Sequence, residues 1–126
     1  MENSLEQEIR EDMVHKLYCS RLEIEGIYKV ENMDDCYIGL VEHWAGDERS
    51  WYAAYIAKKT DEGIKLEEIA KDGLVQNSTI KKATYDEKTR KINITFKSHI
   101  GRLWWETFTK TPNASEDFET KIQVEA

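Results

Sequence analysis

Apolar and polar residues alternate with a period of two through much of this chain, the spacing of strands with one face on a core. Leu22, Ile24, Gly26, Tyr28 and Val30 alternate with Glu23, Glu25, Lys29 and Glu31. This predicts a strand over 22–31 with one face inward and the other in water. The same reading predicts strands over 79–85, 91–97, 102–110 and 118–124, with turns rich in Asp, Asn, Ser and Gly between them. Residues 64–71 fit either a strand or a short helix ended by Gly73, and the strand is preferred because its neighbours repeat at strand spacing. A different period opens the chain. Leu5, Ile9, Met13 and Leu17, with Val14 alongside, form one apolar stripe, which predicts an amphipathic helix over 4–19. Ser4 and Gln7 have the spacing of a capping box at its start.

The pattern breaks between Asp35 and Ala57. Tyr37, Ile38, Val41 and Trp44 precede a turn around Gly46-Asp47, and Trp51, Tyr52, Tyr55 and Ile56 follow it. These are the β-branched and aromatic residues that suit a pleated surface. Neither arm alternates cleanly, so this hairpin is expected to be covered on both faces. Gly39, Ala53, Ala54 and Ala57 keep it thin enough for another element to approach closely. The elements sum to a mainly β chain: an N-terminal helix, then an antiparallel up-and-down meander of about eight short strands, closed as a barrel or strongly curved. No long crossover helix interrupts the strands, which argues against a parallel βαβ layout. The whole of 1–126 is expected to be one domain, with the helix over 4–19 and antiparallel β structure over 22–124.

Charge and composition narrow the function. A net charge of −7 disfavours nucleic acid, whose phosphates need a basic face. No stretch is apolar enough to span a membrane and the first residues do not resemble a secretory signal, so no membrane association and a cytoplasmic location are expected. Cys19 and Cys36 are too few for a disulfide scaffold; they would pair across the helix-to-sheet junction only in an oxidising compartment, and two free buried thiols are the favoured expectation. His15, His43 and His99 lie far apart, with none of the usual zinc spacings, so neither a metal nor a cofactor is expected. Glu42 and His43, as neighbours on a strand, point to opposite faces and do not form an acid/base pair. An enzyme using His43 or His99 is therefore the weakest functional reading.

The segment Glu25-Gly26-Ile27-Tyr28, on the first strand after a short helix, resembles the glycine-x-tryptophan opening of lipocalin-like β-barrels, with Tyr28 where that family carries tryptophan. The meander that follows is similar in layout, and Arg102 would be the basic residue that the family stacks near its first-strand aromatic. The resemblance implies a barrel whose mouth accepts a small apolar molecule without catalysis. On this reading the pocket is lined by Tyr28, Ile38, Leu40, Trp51, Tyr55, Phe96 and Trp105. The alternative is an acidic protein-interaction module, such as an inhibitor or immunity-type protein that neutralises a basic nuclease toxin. Its contact surface would combine Trp44, Asp47, Glu48, Trp104 and Glu106, aromatic anchors beside carboxylates.

Overall fold

A computed structural model describes residues 4–17, 21–45, 49–71, 75, 78–98 and 118–126. The element order is α1 (Ser4–Lys16), β1 (Arg21–Lys29), β2 (Cys36–Ala45), β3 (Arg49–Thr60), β4 (Gly63–Lys71), β5 (Ser78–Asp86), β6 (Lys91–Ser98) and β7 (Phe118–Glu125). Residues 64–71 thus belong to a strand. The strand expected over 102–110 lies outside the described residues, as does Cys19.

All strand pairs are antiparallel, in a four-stranded sheet of order β1-β2-β3-β4 and a three-stranded sheet of order β5-β6-β7. Among the described residues these are two open sheets rather than one closed barrel. The meander breaks after β4: β5 does not pair with β4 but meets the chain just after β1 through a parallel bridge, Glu31 to Thr84. The Glu31 N–H donates to the Ala83 carbonyl and the Tyr85 N–H to the Glu31 carbonyl, both at 2.9 Å. Val75, on the connection from β4 to β5, is buried in the same core as both sheets. β5 thus lies beside the far edge of the first sheet.

Three layers result. Val30, Cys36, Ile38, Leu40, Ala54 and Ile56 of the first sheet and its following turn pack against Ala83, Ile92, Ile94 and Phe96 of the second. On the opposite face of the first sheet, Tyr37, Val41, Ala53, Ala57 and Ile64 pack against Ile9 and Met13 of α1. Burying each large apolar side chain stabilises the fold by about 1.5–3 kcal/mol. The helix needs a close approach. A Cβ on Gly39 would lie 2.8 Å from the Met13 Cε, so glycine leaves the space that Met13 fills. Glu8 on α1 pairs with Lys59 on β3 at 2.6 Å, and the Lys16 ammonium donates to the Ile64 carbonyl. Val14 departs from the expected stripe: it is 57% exposed, one residue off the Ile9–Met13 line that touches the sheet.

β1 also departs from simple alternation. Its register against β2 shifts between Ile24 and Gly26, leaving Glu25 as an extra residue. Such a bulge reverses the phase of everything after it. Leu22, Ile24 and Ile27 therefore pack on the helix side, and Tyr28 on the side of the second sheet. The Gly26–Tyr28 spacing has a local cause: the Tyr28 ring and hydroxyl lie 3.0 Å from where a Gly26 Cβ would be. A second bulge, between Ile80 and Lys82 of β5, leaves Lys81 as the extra residue.

Candidate functional site

The residues expected to line one pocket are divided by the first sheet. Ile38, Leu40 and Phe96 lie between the sheets at 0%, 2% and 0% exposure, with Tyr28 packed partly buried against them. Their surface is already covered by protein. Trp51 and Tyr55 point the other way, because positions 51, 53, 55 and 57 of β3 share the helix side, where Ala53 and Ala57 are buried. Trp105 lies outside the described residues. A smaller cleft of about 200 Å³ opens between the sheets on the side of β4 and β7, with Ile56 and Ile92 as its apolar wall and Lys58, Lys65 and Glu67 among its polar residues.

On the helix side, His43 is 4% exposed. Its ring stacks on Trp51, its direct cross-strand partner, at 4.9 Å and 9°. Its Nε2 lies 3.1 Å from the Tyr55 hydroxyl. Tyr55 pairs with Glu68 across β3 and β4. Burial pushes the His43 pKa below its ordinary value, while the Glu68 charge pulls it back up. The imidazole is thus held neutral between an aromatic face and a phenol, an arrangement that suits a structural side chain. His15, on α1, is exposed, and His99 lies outside the described residues. Cys36 is a buried free thiol whose pKa burial raises, which makes it a poor nucleophile.

The other face of the same strands carries a row of carboxylates. Glu23 stands directly opposite Glu42, and Glu42 directly opposite Tyr52. Glu25, the bulge residue, joins them: desolvation, then the charges of Glu23 and Glu42, raise its pKa. Burial raises the Tyr52 pKa, with smaller contributions from the Glu42 charge and from a hydrogen bond that the phenol donates to Glu42. Like charges directly opposite on paired strands destabilise a sheet by about 0.2–1 kcal/mol. Arg21 offsets part of this, pairing with Glu23 at 3.1 Å. Its guanidinium also lies over the Trp44 ring, 5.2 Å from the centroid. Trp44 shares this face with Glu42, two residues earlier, and its Nε1 is buried with no hydrogen-bond partner among the described residues.

Of the surface expected for an interaction module, Trp44 therefore belongs to an aromatic and acidic patch, whereas Asp47, Glu48, Trp104 and Glu106 lie outside the described residues. Glu23, Glu25, Glu42 and Tyr52 were not among the expected site residues. Their signal was the run of glutamates in β1, which reads as ordinary solvated surface until register places Glu42 opposite it. Among the described residues no three metal-ligating side chains converge, and no helix is long and apolar enough to cross a membrane. Comparison of the chain with protein-family models, with curated proteins and with solved structures finds no match.

Proposed function

We propose that this chain is an acidic protein-interaction module that binds a basic protein through the patch formed by Glu23, Glu25, Glu42, Tyr52 and Trp44. The observation that carries this reading is the direct opposition of Glu23 and Glu42, with Glu25 beside them. Such a patch is mildly destabilising in the free protein. A lysine or arginine from a partner would convert that repulsion into attraction. Tyr52, by donating to Glu42, orients one carboxylate for the incoming cation. Trp44 adds an aromatic surface of the kind that dominates interface energetics. The overall charge of −7 would steer a basic partner toward the molecule and make association sensitive to salt. An inhibitor or immunity-type protein acting on a basic toxin has these properties, and the reading assigns the chain no catalysis.

The test is native mass spectrometry of the chain isolated from its host, beside a Glu23→Gln/Glu42→Gln variant. The expected result is a stoichiometric basic partner that leaves at high salt and is lost from the variant, although the variant melts at a higher temperature. Partner binding that survives both changes overturns the reading. A second reading, a small and partly apolar ligand, is favoured by the cleft at Ile56 and Ile92. The same spectrum separates the two, because that reading requires a small-mass adduct released on denaturation. The likeness to lipocalin-like barrels belongs to this second reading.

A further inference from the structure

The outward face of the three-stranded sheet carries a groove of about 770 Å³, whose lining includes Lys82, Thr84, Asn93, Thr95 and Lys121. Register arranges its side chains in rows. Lys82, Thr95 and Lys121 form one row across β5, β6 and β7; Thr84, Asn93 and Gln123 form the next. The bulge at Lys81 sets this up. It turns Lys81 and Lys82 outward together, while Ile80 and Ala83 on either side pack inward. Lys81 then pairs with Glu119 at 2.6 Å. Lys82 and Lys121 have no carboxylate within ion-pair distance among the described residues, although the Lys121 charge contributes to lowering the Glu119 pKa. The two lysine backbones stand two strands apart, about 10 Å, close enough for both ammonium groups to converge above Thr95.

We propose that this face binds a small phosphorylated polyol, at a site distinct from the acidic patch and independent of it. The phosphoryl group would sit between Lys82 and Lys121 over the Thr95 hydroxyl. The polyol would lie on the neighbouring row, about 7 Å further along the strands. There the Gln123 amide donates to the Asn93 Oδ1 at 2.7 Å, which orients the pair and leaves the Asn93 amide hydrogens and the Gln123 oxygen for ligand hydroxyls. Thr84 Oγ1 is buried with no hydrogen-bond partner among the described residues, and a ligand hydroxyl displacing the atoms that cover it would supply one. The carboxylates of the groove, Asp86 and Glu87, lie at the β5–β6 turn, away from the lysine row. Asp86 already accepts the Lys88 backbone N–H at 2.9 Å. The Lys82–Lys121 row stands at one end, neutral hydrogen-bonding groups lie in the middle, and the turn end carries Lys88 beside Asp86 and Glu87; the neutral middle beside the lysine row is what selects a phosphorylated polyol over a bare anion.

The test is an amide NMR titration of the full chain with glucose 6-phosphate, inorganic phosphate and glucose. Glucose 6-phosphate is expected to give saturable shifts centred on Lys82, Thr84, Asn93, Thr95 and Lys121, with binding at least about fivefold tighter than inorganic phosphate. Added salt should weaken it. A Lys82→Glu/Lys121→Glu variant, checked for an unchanged fold by its spectrum, should bind at least about tenfold more weakly, and Lys82→Arg/Lys121→Arg should retain binding. Absence of saturable shifts with both phosphorylated and inorganic probes overturns the proposal, as does binding that the double glutamate variant leaves unchanged. Equal affinity for phosphate and glucose 6-phosphate overturns the polyol assignment.

Discussion

The two sheets are built from similar strands but are covered differently. The four-stranded sheet lies between α1 and the second sheet, so β2 buries consecutive residues from Cys36 to Val41. Among the described residues the three-stranded sheet has one covered face, and β6 accordingly buries Ile92, Ile94 and Phe96 while Asn93, Thr95 and Lys97 are only partly buried. A strand covered on both sides keeps few positions for polar chemistry. In the central strand β2 they are reduced to Glu42, which meets Glu23 and Tyr52 across the strands, and the sealed His43. A strand covered on one side offers every second position, and the second sheet presents whole rows of polar groups there. The acidic patch and the lysine groove are thus different products of the same packing rule.

The sharpest test of this contrast uses neighbours on β6. Phe96→Ala removes a fully buried ring between the sheets and is expected to cost about 3–5 kcal/mol. Thr95→Ala, one residue away on the outward face, should stay within about 0.5 kcal/mol. Urea melts of the two variants decide it, and equal effects would break the one-sided assignment of the second sheet. Gly39→Val comes next. It forces a branched side chain into the space held by Met13 and should cost about 1–3 kcal/mol in the same assay.

His43 sharpens the comparison through pH. Its folded pKa lies below its unfolded value, so the unfolded chain takes up the proton first as the solution is acidified. The stability associated with neutral His43 is therefore complete above about pH 6.5 and is lost progressively as pH falls toward the lower folded pKa, with a slope of at most about 1.4 kcal/mol per pH unit. Melting between pH 5 and 7 should show this loss, and His43→Phe should flatten it. An equally steep profile in the variant would assign the effect to other groups. The smallest expected change is the gain from Glu42→Gln at neutral pH, about 0.2–1 kcal/mol. Scanning calorimetry resolves such a gain, and a loss of stability instead would mean that Glu42 contributes more through Tyr52 than it costs through Glu23.

Local pattern determined much of this molecule. The 3.6-residue stripe of Ile9 and Met13 specified a helix with one face to bury, and strict alternation specified β6. The mixed faces of the central hairpin announced cover on both sides, because a strand rich in apolar residues at both parities has no face to give to water. Small residues at Gly39, Ala53 and Ala57 indicated close approach, and Met13 fills that space. Other features were decided only by the tertiary structure. The bulge at Glu25 reversed the phase of β1, and no periodicity announces where one extra residue will be inserted. β5 left the expected meander for a parallel bridge at Glu31, giving two sheets, because pairing between segments distant in the chain leaves no mark on local periodicity. Opposition of Glu23 and Glu42, and alignment of Lys82 with Lys121, arise from register between strands. Where no bulge intervenes, a residue's own neighbours in the chain say whether it faces in or out; only the packed sheets say which side chain stands across from it.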